Sequence, residues 1–342
     1  MKEVKLSLQR VKEITELIKK VKICVIGDVC LDIYWRADMK KSKLSRETPH
    51  YPLPVVSETY SPGGCGNVIN NVNDLGIEKL ISISAIAEDW RGFLLTKYFK
   101  EKGIETDNLI IRKEGLTPCY CKPLRMGISD VIYEDPRLDF ENFEAIDEET
   151  ENKIIAAIKK ASEECDLIAV SDQFMCGIIT PKIRNYLSSI ATKIPVIVDS
   201  RERINEYSGV IVKPNELEAA FALGEDIKGK SLSLEEFTTL AKRLYEKNNS
   251  PVAVTLGDKG ALWQDEKGLV YAPTVKAKGE IDIVGPGDTF LSAFSCAYAA
   301  TKNGGEALAF ANLASGVTVK KIGTTGTATP EEIINKWEEY YL

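Results

Sequence analysis

Short apolar runs alternate with helix-length segments along most of the chain, and this alternation restricts the fold more than any other feature of the sequence. The first run, residues 21–26 (VKICVI), is followed directly by Gly27 and Asp28. A continuous apolar run of this length is typical of a strand buried on both faces of an α/β sheet. Strands separated by helices imply a parallel sheet with right-handed crossovers. Further strands are predicted at residues 80–86, 104–111, 167–170, 196–198, 210–212 and 252–256, and helices at residues 90–102, 149–162, 182–192 and 305–320.

Two segments interrupt this alternation. Residues 31–60 and residues 117–135 contain strand-like alternation, and the first of them includes a basic stretch with several prolines. Two separate β segments in an α/β chain are able to pair as a small antiparallel lid. Apolar residues recur at helical spacing near the N-terminus, so a helix is predicted over about residues 7–20. No repeat or linker divides the chain, and we expect residues 1–342 to form one α/β domain.

Composition argues against several classes of function. The 342-residue chain has a net charge of -7 with both signs interspersed, which argues against a nucleic-acid surface. The sequence contains no apolar run of about 18 residues and no signal-peptide core, so we expect a cytoplasmic protein without a membrane span. The eight cysteines form no Cys-x-x-Cys pair, which favours reduced thiols over a zinc site. His50 is the only histidine, and a helical His-Glu-x-x-His metal site is therefore excluded.

Residues 281–294 (IDIVGPGDTFLSAF) contain the clearest candidate for chemistry. A Gly-Pro-Gly-Asp turn leads into Thr289 and Phe290, which begin an apolar helix. A helix N-terminus presents unpaired N–H groups and a partial positive charge, so this junction suits a phosphate. Asp288 then has two interpretations: it caps the helix, or it accepts a proton from a hydroxyl group that attacks phosphorus. The residues of this stretch alone favour neither.

The same stretch resembles the C-terminal signature of the PfkB/ribokinase family of sugar and nucleoside kinases, Asp-Thr-x-Gly-Ala-Gly-Asp followed by a helix. The resemblance implies a ribokinase-like three-layer αβα fold with a mostly parallel central sheet and a small β lid. It also implies ATP-dependent phosphorylation of a hydroxyl group, with Asp288 as the catalytic base and with Gly285 and Gly287 in an anion hole. Because proline has no N–H group, Pro286 is expected to remove one donor from that hole. The matching residues are Asp282, Gly285, Gly287, Asp288, Thr289 and Phe290, and the departures are Ile283 and Pro286.

A glycine-rich stretch before a helix predicted to begin near Asn67 resembles the N-terminal signature of the same family. Taken alone, the stretch supports only a glycine turn and a helix start, which are common. The resemblance implies that Gly63, Gly64 and Asn67 line a sugar pocket and that Asp32 binds sugar hydroxyl groups. The alternative for Asp32 is a solvated carboxylate at the end of a strand. An ionised Asp only accepts hydrogen bonds, which suits a polyol.

The second half of the chain carries the motifs that the family uses for the nucleotide. Asn215 and Glu218 lie three residues apart and share a helix face, and their ordinary roles are a helix cap and a solvated charge. The resemblance makes both of them ATP-binding, with Glu218 holding Mg²⁺ through water, an arrangement that suits an ion reluctant to lose its hydration shell. The next motif contains Gly257 and Gly260, and these glycines alone would equally fit a plain β-turn. The resemblance assigns further ATP contacts to Thr255, Gly257, Gly260 and Asn312.

Within the family, residues 27–35 (GDVCLDIYW), 42–56 (SKLSRETPHYPLPVV) and 136–141 (PRLDFE) are similar to the kinase domain of bifunctional ADP-heptose synthases. This similarity implies that the acceptor is D-glycero-D-manno-heptose 7-phosphate and that its anomeric hydroxyl is phosphorylated. Arginine and lysine in the lid suit a sugar phosphate, although a charged lid can equally be a solvated surface. The family's lid also implies a homodimer. The candidates for the sugar phosphate are Lys43, Arg46, Lys122, Arg125 and Arg137, and second-line candidates for a phosphate are Arg201 and Arg203.

Two alternatives remain open at this point. A kinase for another sugar, a sugar acid or a nucleoside would have the same motifs, because the family phosphorylates many alcohols and a fold does not determine its substrate. A non-catalytic sensor of sugar phosphates or nucleotides is the second, and Pro286 is the residue that motivates it.

Overall fold

The computed structural model describes residues 1–127, 129, 131–277, 279–282, 284–323 and 325–342. Within these residues the helices are α1 (Leu8–Ile18), α2 (Cys65–Asp74), α3 (Trp90–Glu101), α4 (Glu148–Glu164), α5 (Pro181–Ile190), α6 (Glu216–Ala222), α7 (Leu234–Asn248), α8 (Pro286–Thr301), α9 (Gly304–Thr318) and α10 (Pro330–Tyr341). The strands are β1 (Lys2–Glu3), β2 (Lys22–Gly27), β3 (Val29–Asp38), β4 (Val55–Gly64), β5 (Lys79–Ile86), β6 (Leu109–Ile111), β7 (Cys119–Met126), β8 (Tyr133–Glu134), β9 (Leu138–Phe140), β10 (Leu167–Asp172), β11 (Val196–Ser200), β12 (Ile211–Val212), β13 (Val252–Thr255), β14 (Ala261–Asp265) and β15 (Gly268–Ala272).

Ten strands form the main sheet in the order β1-β15-β14-β13-β12-β11-β10-β2-β5-β6. Its strand pairs are parallel in the described part of the chain, except for β13–β14 and β14–β15. In β2, Ile23 and Val25 pack into the core on one face of the sheet, and Cys24 and Ile26 pack into the core on the other. Burial on both faces explains why this strand is apolar at successive positions.

Helices cover both faces of the main sheet. On one face, α1 and α8 contribute Ile14 and Phe294 to a buried apolar cluster. On the opposite face, α4 and α5 contribute Ile158 and Leu187 to a second cluster. The fold is therefore a three-layer αβα arrangement with a mostly parallel central sheet, which confirms the fold class expected from the sequence.

A smaller five-stranded sheet contains the two segments predicted to be β-rich and also β9, which lies after the second of them. Its order is β4-β3-β7-β8, and β9 pairs with the free part of β7. Strand β3 begins at Val29, two residues after the end of β2, so the smaller sheet grows from the carboxyl end of the main sheet. The β3–β7 pair is parallel, which differs from the antiparallel lid predicted. The difference arises because about 80 residues, including α2 and α3, separate the two strands, and a connection of that length permits a parallel crossover.

Some elements were predicted with the wrong bounds or were missed. The strand predicted at residues 104–111 is limited to β6, because the ladder with β5 begins only where Leu109 aligns with Ser84. The helices α7 and α10 were not predicted, although each begins with a capping box. Ser233 pairs with Glu236 at α7, and Thr329 pairs with Glu332 at α10. This capping pattern is a local signal that predicts both helix starts.

Candidate active site

A cavity of about 750 Å³ lies where the carboxyl ends of the main-sheet strands meet the smaller sheet. Asp199 at the end of β11 and Thr255 at the end of β13 line it from the main sheet. Asp32 on β3 and Lys122 on β7 line it from the smaller sheet. Ligands bind at this edge of open α/β sheets because the strand ends and the following loops are free there. The cavity has the size of a small-molecule site.

The N-terminus of α8 forms one wall of the cavity. Gly285 is the residue before the helix and has a φ of 90°, a left-handed conformation that favours glycine. The first turn begins with Pro286, and the N–H group of Thr289 donates to the carbonyl oxygen of Gly285 over 3.1 Å. By their position in the first turn, the N–H groups of Gly287 and Asp288 have no acceptor within the helix. A Cβ added at Gly287 would meet no atom within 4 Å, so open space lies beside these donors.

Pro286 occupies a position at which proline is common, since the N–H group there has no helical acceptor. The expected loss of one donor nevertheless applies, because proline has no N–H group to offer a ligand. The second departure from the family signature, Ile283, lies outside the described residues.

Asp288 is partly buried in the third position of α8 and faces the cavity. Its Oδ2 accepts a hydrogen bond from Nδ2 of Asn67 over 2.9 Å. Burial is the largest cause of a pKa of about 7 for this carboxyl group, and the charges of Asp199 and Asp32 also raise it. The hydrogen bond from Asn67 and the charge of Lys213 oppose the increase. A carboxyl group with a pKa near neutrality is suited to accept a proton from a substrate.

Asp32 lies across the cavity from the helix. Its side chain is 5% exposed, and burial raises its pKa, although the charges of Lys122 and Arg137 oppose the increase. A Cβ at Gly63 would lie 2.7 Å from Oδ2 of Asp32, so a larger residue at position 63 would displace this carboxylate. Gly64 has a φ of 54°, and a Cβ there would lie 2.6 Å from the carbonyl oxygen of Asp28. The two glycines therefore allow β4 to approach the strand that carries Asp32.

Basic side chains surround the part of the cavity formed by the smaller sheet. Lys122 is buried, and its Nζ donates to the hydroxyl oxygen of Tyr34 over 3.0 Å. The guanidinium of Arg137 lies over the ring of Tyr120, 4.0 Å from its centroid, and donates two hydrogen bonds to Asp139. Lys122, Arg137 and also Arg36 line the cavity. An anionic group on a ligand would meet positive charge here.

The remaining cations proposed from the sequence have other surroundings. Lys43 and Arg46 are exposed and are not among the residues that line the cavity. Arg125 pairs with Asp135 over 2.6 Å. Arg201 lines the cavity, whereas Arg203 forms an ion pair with the buried carboxylate of Asp172. The tertiary structure therefore selects a subset of the basic residues that the sequence offers.

Asn215 and Glu218 lie together at the N-terminus of α6 and line the cavity. They form a capping box, in which Asn215 Oδ1 accepts from the N–H group of Glu218 and Glu218 Oε2 accepts from the N–H group of Asn215. Burial raises the pKa of Glu218 to about 7, and the charge of Asp199 adds to the increase. The structure therefore shows the helix-cap role expected for Asn215. Only one carboxylate oxygen of Glu218 takes part in the capping box, and the other lies outside it.

A buried ion pair between Lys213 and Asp199, 3.1 Å apart, lines the cavity and was missed in the sequence. Burial alone would lower the pKa of Lys213, but Asp199 and Glu218 raise it above its usual value. Asp199 directly follows the strand predicted at residues 196–198, and Lys213 directly follows the strand predicted at residues 210–212. A polar residue at the carboxyl end of a parallel strand is the signal that identifies such positions.

Three predicted nucleotide residues support the structure around the cavity and do not line it. Gly257 begins a short 3-10 turn, and Gly260 has a φ of 97° with no room for a Cβ beside the carbonyl oxygen of Ala272. Nδ2 of Asn312 donates to the carbonyl oxygens of Ala272 and Pro273 over 3.0 and 3.1 Å. These contacts join α9 to the end of β15, next to the turn after β13.

Neither a cluster of metal ligands nor a membrane-spanning helix occurs in the part of the chain that the structure describes. Among those residues, no group of three or more His, Cys, Asp or Glu side chains is arranged to hold a metal ion. Over the same ranges, no helix has the length and hydropathy needed to cross a membrane.

The fold and the cavity together define a class. A carboxylate at a helix N-terminus, facing a polar pocket at the carboxyl edge of a parallel sheet, suits an enzyme that phosphorylates an alcohol. The family model described as "pfkB family carbohydrate kinase" matches residues 20–332. The chain therefore belongs to the pfkB family of carbohydrate kinases.

Individual proteins are similar to this chain over almost all of its length. The bifunctional protein HldE of a Nitratiruptor species is 36% identical over 323 residues, which are 94% of this chain and 65% of that protein. The chain thus spans less than two thirds of that relative. Ribokinase of Arabidopsis thaliana, complexed with ribose and ATP, gives a TM-score of 0.69 at 17% identity, and the match covers 93% of this chain and 98% of the ribokinase. Phosphofructokinase-2 of Escherichia coli in complex with fructose-6-phosphate gives a TM-score of 0.71 at 15% identity. That match covers 94% of this chain and 100% of the phosphofructokinase. The two structures share the fold.

Proposed function

We propose that this carbohydrate kinase transfers the γ-phosphoryl group of ATP to the anomeric hydroxyl of D-glycero-D-manno-heptose 7-phosphate, with Asp288 as the general base. The observation that carries the proposal is that one cavity contains Asp288, the donors at the start of α8 and the carboxylate of Asp32. The resemblance of residues 27–35 and 42–56 to ADP-heptose synthases supports the choice of sugar.

The proposed step transfers one proton and one phosphoryl group. The acceptor hydroxyl lies between Asp32 and Asp288, and Asp32 orients it by accepting hydrogen bonds from the sugar. Asp288 takes the hydroxyl proton as the new O–P bond forms and the bond from phosphorus to the β-phosphate oxygen breaks, which leaves ADP. The N–H groups of Gly287 and Asp288 stabilise the negative charge on the phosphoryl oxygens.

ATP and Mg²⁺ fit the chemistry of the residues that line the other part of the cavity. The open space beside Gly287 admits a phosphate group close to the helix N-terminus. Glu218 and Asp199 each have a raised pKa because they are buried, and a divalent cation close to them would relieve that cost. Glu218 would hold Mg²⁺ through water, and the ion would neutralise phosphate charge. Lys213 and Arg201 supply positive charge on the same wall.

A phosphate on the acceptor explains why the smaller sheet supplies cations to the cavity. Lys122, Arg137 and Arg36 lie on or next to its strands, and all three line the cavity. An unphosphorylated sugar would leave these charges without a ligand. The acceptor phosphate would bind at this end of the cavity, with the reacting hydroxyl directed towards Asp288.

The proposed dimer uses the smaller sheet. Strand β4 is its edge, and Val55 and Val56 at its start are 50% and 46% exposed. An edge strand with exposed apolar residues at its start is stabilised when a second chain covers it. Light scattering is expected to give twice the monomer mass, and Val56→Glu is expected to give the monomer. A monomeric mass for the unmodified chain at all concentrations tested would contradict this part of the proposal.

The test of function is ADP release measured with a panel of acceptors. The panel contains the heptose 7-phosphate, the same heptose without phosphate, fructose 6-phosphate, ribose and a nucleoside. We expect the highest kcat/KM for the heptose 7-phosphate. Activity restricted to unphosphorylated acceptors would favour another sugar kinase. Binding of nucleotide and sugar phosphate without ADP release from any acceptor would favour the sensor.

A further inference from the structure

Asn71 lies one helical turn after Asn67 in α2, and both side chains are buried, with exposures of 1% and 0%. Nδ2 of Asn71 donates to Oδ1 and to the backbone oxygen of Asn67, each over 3.0 Å. The carbonyl oxygen of Gly326 lies 3.4 Å from the same nitrogen. Two of these three oxygens belong to the backbone and only accept hydrogen bonds. The amide nitrogen of Asn71, and not its oxygen, must therefore face this group.

The orientation of Asn71 determines the orientation of Asn67. Because Asn71 donates to Oδ1 of Asn67, the amide nitrogen of Asn67 is directed the opposite way, to Oδ2 of Asp288 at 2.9 Å. A reversed Asn67 would bring two N–H donors together at Asn71 and would bring its carbonyl oxygen against the carboxylate of Asp288. Both contacts are repulsive.

We propose that Asn71 is a positioning residue, which holds the side-chain amide of Asn67 with its N–H group directed at Asp288. The inference rests on the proposed function, in which Asp288 is the base. A donated hydrogen bond stabilises the ionised carboxylate, which is the form that accepts the proton. Asn71 thus acts on catalysis through Asn67 without touching Asp288 or a substrate.

Other groups also affect the ionisation of Asp288, and the charged ones belong to elements other than α2. The carboxylates of Asp199 and Asp32 disfavour the ionised form, and Lys213 favours it. Lys213 is already paired with Asp199, whereas Asn67 is bonded to Asp288 directly. The thiols of Cys30 and Cys65 also interact with Asp288, and burial raises the pKa of both, so they stay uncharged.

The experiment compares pH profiles of kcat/KM for the wild-type enzyme and Asn71→Ala, using the acceptor that gives the highest activity. Loss of Asn71 is expected to move the midpoint of the acidic limb upward by about one pH unit, because one hydrogen bond to a charged group is weakened. At pH values below the midpoint, the variant should then be roughly tenfold less active than the wild type. At pH values well above it, the two activities should be nearly equal. A purely structural role would lower activity at every pH and leave the midpoint in place.

Asn70→Ala is the matched control, since Asn70 is a buried asparagine of the same helix. Its Nδ2 donates to the hydroxyl oxygen of Tyr98 over 3.1 Å, so its replacement is expected to keep the wild-type midpoint. Asn71→Leu, which keeps the branched shape of the side chain without its hydrogen-bonding groups, is a second variant if Asn71→Ala does not fold. In an Asn67→Ala background, removal of Asn71 should produce no further shift.

The outcomes distinguish the two claims. An unchanged midpoint in the Asn71 variants, together with loss of turnover in Asp288→Asn, would overturn the role of Asn71 and leave Asp288 as the base. Full turnover in Asp288→Asn would instead overturn the proposed function.

Discussion

The side-chain amide of Asn67 donates a 2.9 Å hydrogen bond to Oδ2 of Asp288, joining residues 221 positions apart. Asn67 lies at the start of α2, which packs against α8 and β4. The sequence predicted that Asn67 lines the sugar pocket, yet it is not among the lining residues and contacts the proposed base instead. The bond therefore connects the two signatures of the family.

Replacement of Asp288 by Asn is expected to remove most of the turnover. The variant keeps the shape of the side chain but not the basic carboxylate, and general-base catalysis typically contributes about 10²- to 10⁴-fold to the rate. Nucleotide binding should change little, since the N–H donors of α8 remain. Steady-state ADP release and calorimetric titration with ATP measure the two effects. Wild-type turnover in this variant would show that another group accepts the proton.

The pH profile should show a loss of activity on the acidic side. Asp288 has a pKa of about 7, and it is active as a base only when ionised, so kcat/KM should fall as the pH drops through that value. Bound ATP is negatively charged and moves the midpoint further upward. The measurement is kcat/KM for the acceptor between about pH 5.5 and 9, with ATP and Mg²⁺ saturating. A profile that is flat across this interval contradicts the assignment.

Lys122→Met is expected to weaken binding of a phosphorylated acceptor more than that of its unphosphorylated analogue. Loss of one charge-assisted hydrogen bond to phosphate should raise KM roughly tenfold or more, with a small change in kcat. Lys113→Met is the control, because Lys113 pairs with Glu149 and does not line the cavity. Equal losses for both acceptors would argue against a phosphate site at Lys122.

The two glycines at the start of α8 should respond differently to alanine. Gly285 has a φ of 90°, and a Cβ there would lie 3.1 Å from Nδ2 of Asn67, so Gly285→Ala should lower stability by about 1–2 kcal/mol. Gly287 has open space around it, and Gly287→Ala should leave Tm almost unchanged while raising KM for ATP. Thermal unfolding and ATP kinetics measure both effects. A similar loss of Tm in both variants would contradict the distinction.

The secondary structure that the sequence predicted correctly depends on local signals. The apolar run at residues 21–26 and the glycine turn before Thr289 identified β2 and the start of α8. The N-cap role of Asn215 also follows from neighbouring residues. Predictions failed where a segment contained weak alternation, as before β6, because pairing with β5 decides where that strand begins.

The composition of the cavity could be predicted only in part. The position of Asp288 follows from the glycine turn at the start of α8 and that of Asp32 from the buried strand β2 shortly before it, and both residues line the cavity. Lys122 and Lys43 looked equivalent as lid cations, but only Lys122 is directed into the cavity. The pairing of β3 with β7 aligns Lys122 with Tyr34, and no local pattern encodes that register.

The sequence by itself determined the apolar strands, the helix that begins at Pro286 and the acidic residue in its first turn, because each depends on residues a few positions apart. The tertiary structure alone decided that Asn67 faces Asp288, that Asp199 pairs with Lys213 and that Lys122 reaches the cavity. These contacts join distant segments, and their existence depends on strand order and helix packing. The free energy that selects such packing is a property of the whole core and not of any one stretch of the chain.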